Sequence, residues 1–423
     1  MRAEIVSVGD ELLKGQKVNT NAAFMARALG GIGVPVGRVV SCSDREEEML
    51  AVFAESLERA DIVLVTGGLG PTRDDRTKQA VQQLLGRGLE LSQEAYANLA
   101  VRIKQRGLEV SDSLRDQAMV IDGSQVIANT KGSAAGMIIP CGERFQNHYL
   151  VLMPGVPSEM TAMMELTVIP WFSALSRSVI RHTPVKTVGI GESTLAEMIV
   201  DIEDALPEGT TLAYLPHAAG VSLMISTIGR LRDEVDRDNR HVVDAIVRKA
   251  GKFIYATSEL SLEETIGGML SAGGFTVAVA ESCTGGLVAS RLTDVPGSSA
   301  WFLQGFVVYS NQAKEKSLGV AGELIEAFGA VSEEVARSMA LGCLEKSGAD
   351  FALSTTGIAG PSGGSPEKPV GMLCLAIARK NSGVLLSRTL FMHGDRELNK
   401  LRFSEAVLRE FWEYLRDTSV TER

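Results

Sequence analysis

A run of small polar residues and glycines, Glu281-Ser282-Cys283-Thr284-Gly285-Gly286, follows an apolar, β-branched stretch at residues 276–280 and precedes an amphipathic helix pattern at 287–292. The apolar stretch reads as a buried strand, and small polar residues at its C-terminal end leave room for a ligand. A second turn, residues 294–299, carries Ser298 and Ser299 into another strand pattern at 303–309, after which Ser310, Lys314 and Lys316 follow. A serine hydroxyl is a poor nucleophile until a base takes its proton. No histidine lies between His241 and His393, so the bases at hand are lysines. A lysine acts as a base only where burial lowers its pKa. Lys314, one step after a strand and with Tyr309 beside it, is better placed for that than Lys316. The spacing leaves two readings open: a Ser/Lys pair, or helix caps and solvated lysines. Cys283 has no histidine near it in sequence to activate it and reads as a small packing residue.

Two further glycine loops have the composition of anion sites. Thr355 to Gly364 (TTGIAGPSGG) follows a strand pattern at 351–354, and Pro361 prevents an immediate helix, so an anion there would rest on backbone N–H groups and hydroxyls. Arg396, in HGDR, could close on a phosphate; an ordinary surface ion pair is the alternative. Near the other end, Thr66-Gly67-Gly68-Leu69-Gly70-Pro71-Thr72-Arg73-Asp74-Asp75 joins glycines that let N–H groups approach phosphate to acids that could hold a divalent metal. A plain turn with solvated acids fits that loop equally well.

The elements needed to hold these loops are of the α/β kind. Residues 4–8, 35–40 and 61–65 read as strands with helices at 21–29 and 45–59 between them, which predicts a parallel sheet whose loops at Gly9-Asp10-Glu11, residues 41–44 and residues 67–75 meet at one edge. Residues 154–160 (PGVPSEM) follow a strand pattern at 149–153 and lead into a helix. Residues 173–257 form a small α+β pattern, with strands at 187–190 and 221–226, helices at 195–206 and 233–250, and His217 in a loop. Gly189-Ile190-Gly191-Glu192 has neither the spacing nor the basic neighbours of an RNA clamp, so this part reads as a spacer or oligomer contact. Ser332 caps a helix whose Val335, Met339 and Cys343 face a core.

The 423 residues are enough for two or three domains, and 45% apolar with 22% charged residues is ordinary for packed cores. A net charge of -10 argues against nonspecific nucleic-acid binding as the main task. No membrane-spanning run or secretory signal pattern is present, and five scattered cysteines suit reduced thiols, so a cytoplasmic location is expected.

AESCTGG, GSSAWF with GFVVYSNQAK, GAVSEEVA, TTGIAGPSGG and HGDR occur in order over the last part of the chain. Together they resemble the C-terminal domain of CinA-type proteins, the nicotinamide mononucleotide (NMN) deamidase family. GDELLKG, NTN, GGLGPTRDD and PGVPSEM resemble the molybdopterin-binding (MogA/MoeA-like) domain found at the N-terminus of CinA proteins. CinA relatives carry a KH-like module between the two.

The resemblance implies an α/β protein of three domains: a parallel-sheet molybdopterin-binding-like domain at 1–172, a small α+β, KH-like connector at 173–257, and an α/β deamidase domain at 258–423. It implies hydrolysis of the NMN carboxamide without a cofactor, with Ser299 as nucleophile, Lys314 as base, Tyr309 and Ser282 assisting, and Thr284, Gly285, Gly286, Thr356, Gly357, Gly360 and Arg396 lining the substrate. For the N-terminal domain it implies a metal-dependent ADP-ribose pyrophosphatase using Asp10, Glu11, Asp44, Gly67, Gly68, Gly70, Thr72 and Asp75, with Asp75 as metal ligand. Departures from the family pattern fall there: Leu114 and Asp116 stand where relatives read NRKQA, and residues 132–136 read GSAAG for GTAPG. The expected partners are small nucleotides and a second copy of the chain, with no membrane and no nucleic acid. The competing reading is a non-catalytic nucleotide- or pterin-binding scaffold in competence or DNA-damage response.

Overall fold

A computed structural model of the chain describes residues 1–70, 75–105, 117–176, 178–217 and 220–421. Thr72, Leu114 and Asp116 lie outside the described residues. The chain divides into two compact units, Met1–Arg181 with Thr227–Arg237, and His182–Ser226 with Asp238–Arg423. Within the segment read as a connector, residues 227–237 group with the first unit and residues 182–226 and 238–257 with the second.

In the first unit, β1 (Ala3–Val8), β2 (Val36–Cys42), β3 (Ile62–Thr66), β6 (Gln125–Ile127), β7 (Gly136–Pro140) and β8 (Tyr149–Met153) form one sheet in the order β2-β1-β3-β8-β7-β6. The short β4 (Leu89–Leu91) and β5 (Met119–Ile121) pair separately. The first four strands of the sheet are parallel, as expected, but β7 runs antiparallel to β8 and β6 antiparallel to β7. Only residues 141–148 join β7 to β8, and a parallel crossover needs about a dozen residues or more, so this connection can only fold back. The central strands are buried along their length because both faces are covered, and the one buried acid among them, Glu4 of β1, is paired with Arg59. Val6, Val65 and Leu152 meet Phe53 on one side, while Ile5, Leu64 and Val151 meet Met25 and Phe172 on the other.

In the middle of the chain, β9 (Val179–Thr187), β10 (Thr210–His217), β11 (Gly220–Gly229) and β12 (Ile254–Ala256) form a sheet in the order β10-β11-β9-β12. The strand expected at 187–190 instead ends at Thr187, and His217 ends β10 and is not a loop residue. β10 escapes the apolar pattern because its outer half, residues 215–217, is exposed. Val221, Leu223 and Ile225 do bury one face, against Leu195, Ile199, Val242 and Ile246.

The remainder of the second unit is built on β13 (Val277–Glu281), β14 (Phe302–Val307), β15 (Phe351–Gly357), β16 (Met372–Arg379) and β17 (Gly383–Phe391), ordered β14-β13-β15-β16-β17. The first three are parallel and the last two antiparallel. On one face Ala278, Ala280 and Ala352 let the helix Glu333–Ser347 approach closely through Met339 and Cys343, and Ser332 caps that helix by accepting from the Val335 N–H. On the other, Phe351 and Leu353 pack against Phe403, Val407 and Phe411 of the helix Arg396–Thr421. The helix Leu262–Gly273, begun by a Ser261/Glu264 capping box, and the helix Leu287–Thr293 complete this layer.

Arg291 ties these three helices together. Its guanidinium is paired with Glu263 and Glu405 and donates to Ser404 Oγ at 2.9 Å. All three charged side chains are at most 16% exposed. Removing the cation leaves two nearly buried carboxylates unpaired, so Arg291→Met should destabilise this unit by about 3 kcal/mol or more. Urea unfolding followed by tryptophan fluorescence in a Trp171→Phe background checks it, because Trp301 and Trp412 both lie in this core.

Candidate active site

Strand β13 ends in a carboxylate buried from solvent. Glu281 is 1% exposed, and its oxygens accept from the N–H groups of Gly286 at 2.9 Å, Val288 at 3.1 Å and Ala289 at 2.8 Å. These are donors left over at the start of the helix Leu287–Thr293, whose own cap Gly286 has no side chain to serve them. Gly285 and Gly286 take φ of 62° and 95°, which lets the chain double back so that the helix start returns to the strand end. Ser282 sits at the crest of this turn, fixed by its N–H to the Thr355 carbonyl at 2.9 Å.

Opposite it stands Lys314. The helix Asn311–Leu318 begins at Ser310, whose hydroxyl accepts from the Ala313 N–H, and one turn in it points Lys314 into the sheet's end. The side chain is 1% exposed. Its Nζ lies 3.0 Å from Ser282 Oγ and donates to the Val308 carbonyl at 3.1 Å. Burial pushes its pKa below the ordinary lysine value, slightly opposed by the nearby Cys283 sulfur. Both groups open on a cavity of about 250 Å³ that is also lined by Asn311, Tyr309, Thr356, the glycine loop 357–363 and Arg396.

Other expected site residues hold the frame. Thr284 is fully buried, with its hydroxyl 2.7 Å from that of Thr355, and Thr356 donates to the Ala330 carbonyl at 2.7 Å. Gly357 is required because a Cβ there would lie 2.5 Å from the Met372 carbonyl oxygen, and Gly360 because its φ is 90°. Arg396 donates to the Gly360 carbonyl and to the Tyr309 hydroxyl, both at 2.8 Å. Tyr309 is therefore the partner of Arg396 at the mouth, 60% exposed, and does not supply the burial of Lys314.

Ser299 is not brought to Lys314 within the chain. It occupies a single exposed 3-10 turn, Ser298–Ala300, just before β14. The Trp301 carbonyl there accepts from the N–H of Val277, the first residue of β13, whereas Ser282 follows the last. The two serines stand at opposite ends of a parallel pair, roughly 16 Å apart at 3.3 Å per residue. Cys283 lies in the core with its thiol pushed up to about 12 by burial, as a packing residue would.

In the first unit, Asp10, Glu11, Asp44, Gly67 and Gly68 gather at the C-terminal ends of β1 to β3, but they serve one another. The Asp44 carboxylate accepts from the Asp10 N–H at 3.1 Å; Asp10 pairs with Lys14 at 2.8 Å and Glu11 with Lys17 at 3.5 Å. The Lys14 ammonium holds the Asp10 carboxyl below its usual range. Gly67 and Gly68 are required by packing, since a Cβ would lie 2.3 Å from the Val8 carbonyl oxygen and 2.3 Å from Thr77 Oγ1. The Asp75 carboxylate lies over Gly70. Among the described residues no group of three or more His, Cys, Asp or Glu side chains is placed to hold a metal, and residues 71–74 of this loop lie outside them.

Three family models match the chain in succession: the probable molybdopterin binding domain over residues 4–174, the damage-inducible protein CinA KH domain over 182–256, and the CinA C-terminal domain over 259–415. The CinA-like protein of Chlorobium luteolum is 65% identical over 419 residues, covering 98% of this chain and 97% of that protein. That of Chlorobaculum tepidum is 61% identical over 412 residues and 97% of each chain. The chain belongs to the CinA family. Among solved structures, the competence/damage inducible protein CihA from Agrobacterium tumefaciens is 44% identical, covering 35% of this chain and 90% of that one, with a TM-score of 0.34.

In this CinA-family chain the sequence reading missed Glu281, Asn311 and Asn21. Glu281 had a usable signal: an acid closing an apolar strand just before a helix start. Asn21 lies in the NTN motif and donates to the Gly155 carbonyl at 2.8 Å, while its buried Oδ1 has no partner among the described residues. In the motif AESCTGG, Cys283 belongs to the core cluster and also lines the Lys314 cavity. All five cysteines are buried, so a thiol reagent at pH 8 should label the native protein far more slowly than the urea-unfolded chain, and Cys283→Ala should keep near-normal turnover in whatever reaction the site performs.

Proposed function

We propose that the C-terminal site is an amidohydrolase site that cleaves the carboxamide of nicotinamide mononucleotide, with Ser282 as nucleophile and Lys314 as its base. The observation that carries this reading is the 3.0 Å approach of a buried lysine amine to a serine hydroxyl at the floor of a cavity. A neutral amine has one lone pair, and the Ser282 O–H is the donor placed to meet it. Ser282 Oγ attacks the carboxamide carbon as its proton passes to Lys314 Nζ. That proton then goes to the departing amine, ammonia leaves, and an acyl-Ser282 remains. Lys314 next takes a proton from water, whose oxygen attacks the acyl carbon and frees the carboxylate, and the proton returns to Ser282. The Asn311 side chain lines the cavity beside them and supplies an amide for the substrate carbonyl. Arg396, with a guanidinium already oriented by Gly360 and Tyr309, takes the phosphate at the mouth.

Ser282→Ala and Lys314→Ala should each abolish ammonia release from the mononucleotide, with the double variant no worse than either, because the two act as one unit. Arg396→Ala should raise KM about tenfold or more with kcat little changed, the size of a charge-assisted hydrogen bond lost. Peptide mapping of a quenched reaction should find the acyl group on Ser282; finding it on Ser299 would replace this assignment. The folded-state pKa of Lys314 is lowered, so the free base gains population as pH rises through that value. Activity should rise along an acidic limb whose midpoint lies below about 10.4, the ordinary lysine value, and fall away on acidification as the amine is protonated.

The first unit supports a diphosphate-cleaving reading less directly. Asn21, bonded to Thr66 and Gly155 at the ends of β3 and β8, keeps a buried Oδ1 with no partner among the described residues, but Asp10, Glu11 and Asp44 are engaged with lysines and backbone. No step through a metal follows from them. Incubation of the full chain with ADP-ribose, with and without chelator and with Asp75→Asn, tests it. Loss of cleavage with ammonia release intact supports a separate site, and absence of cleavage in every case removes the reading.

A further inference from the structure

A second cavity of the same unit, of about 290 Å³, shares no residue with the Lys314 cavity. Its floor is one face of the helix Arg396–Thr421. Arg402, Ala406 and Arg409 stand there at i, i+4 and i+7, so the two arginines are about 10 Å apart along the axis with only a methyl group between them. The walls are Phe391 and Met392 at the end of β17, and Val188 with Gly189 just after β9. A Cβ at Gly189 would lie 2.8 Å from Arg409 Cδ, so the backbone there packs directly on the stem of that arginine. Phe391, 58% exposed, leaves its ring at the cavity's edge. The charges are lopsided. Arg402 gives one N–H to the His393 carbonyl and is paired with no carboxylate among the described residues. Arg409 bonds Glu410 at 2.7 Å, yet its Nε stands 3.8 Å from Glu413 and has no hydrogen-bond partner. The one acid lining the cavity, Glu405, is already paired with Arg291. Apolar walls beside an unpaired guanidinium suit a ring that carries one carboxylate. The ring stacks between Phe391 and the floor, and the carboxylate takes the Arg402 fork.

The two cavities share one segment of chain. Phe391, Met392 and His393 line this one, and three residues beyond His393 Arg396 reaches the Lys314 cavity, where it holds Gly360 and Tyr309. Asn399 fastens the same segment to the glycine loop, donating to the Gly394 carbonyl at 2.9 Å and the Ala359 carbonyl at 3.1 Å. We propose that the second cavity is a ligand site for a small aromatic carboxylate, and that filling it raises the KM of the Lys314 site through residues 393–396. A carboxylate on Arg402 competes with the His393 carbonyl for that guanidinium, so the occupied state fixes Arg396 less firmly and holds the substrate phosphate less well. The reaction proposed above turns a ring carboxamide into a ring carboxylate. A site of this chemistry accepts the reacting group of the product and not that of the substrate. The coupling to KM rests on the amidohydrolase reading; the binding site does not.

The test has two arms on the full chain. In the first, binding of radiolabelled nicotinate is measured by equilibrium dialysis. Arg402→Gln should weaken it at least tenfold, the size of a charge-assisted hydrogen bond lost, and Phe391→Ala should weaken it as well, while Arg396→Ala should leave it in place. Neither excess acetate, which lacks the ring, nor excess nicotinamide, which lacks the charge, should displace it. Absence of binding to the wild type, or undiminished binding by both Arg402→Gln and Phe391→Ala, overturns the site. Loss in Arg396→Ala moves the ligand to the Lys314 cavity and overturns it equally, and displacement by acetate reduces it to an anion site without a ring. In the second arm, nicotinate should raise the KM for ammonia release from the mononucleotide to a ceiling about fivefold or more above its starting value, with kcat unchanged. Phe391→Ala should keep the starting KM and lose the rise. A KM that climbs in proportion to nicotinate without a ceiling marks direct competition at the Lys314 site, and a KM that does not move marks no communication; either overturns the coupling. Absence of ammonia release from the wild type, with nicotinate bound as described, removes the amidohydrolase reading and the coupling with it, and keeps the binding site.

Discussion

A lysine amine buried with one carbonyl and one hydroxyl is the constraint on which the second unit turns. An ammonium needs three acceptors and compensation for leaving water; among the described residues Lys314 meets the Val308 carbonyl and Ser282 Oγ, and no carboxylate there is paired with it. Burial shifts the balance toward the neutral amine, so that its lone pair is more readily available to the one serine beside it. The helix Asn311–Leu318, its Ser310 cap and the end of β14 all fix the position of that nitrogen.

The opposing half of the pair depends on Glu281. Three backbone donors converge on its buried carboxylate, so the turn carrying Ser282 is held at both ends, by the strand it leaves and the helix it enters. Arg291 then anchors that helix to its neighbours. A hydroxyl can act as nucleophile only if it stays within hydrogen-bond reach of its base through the reaction. Here the restraint is made by charge-assisted contacts shielded from solvent, where salt and water weaken them least.

Much of this could be read from residue types, because it is local. The strand before Ser282, the glycine turn, the cap at Ser310 and the position of Lys314 one turn into a helix all follow from neighbours in sequence. The place of Ser299 does not. Whether residue 299 falls beside Ser282 or at the other end of the sheet depends on β14 running parallel to β13, which brings the start of one strand to the start of the other. The antiparallel β6 and β7, and the exposed β10, were hidden for a related reason: short or solvent-facing strands owe their existence to partners that periodicity does not name. In the first unit the glycines were legible as glycines, but their cause is close packing against Val8 and Thr77.

The two units accordingly differ in what their acidic and basic groups have left to offer. In the first, Asp10, Glu11 and Asp44 are engaged by Lys14, Lys17 and a backbone N–H, and the glycines around them fill space that the fold itself requires. In the second, a buried lysine amine, an oriented guanidinium and the hydroxyl residues Ser282, Tyr309, Thr356 and Ser362 line the same cavity, while the Glu281 carboxylate is engaged in holding the backbone. A carboxylate paired with Lys314 would raise the lysine's pKa; with Glu281 turned to the Gly286, Val288 and Ala289 N–H groups, burial is left to lower it.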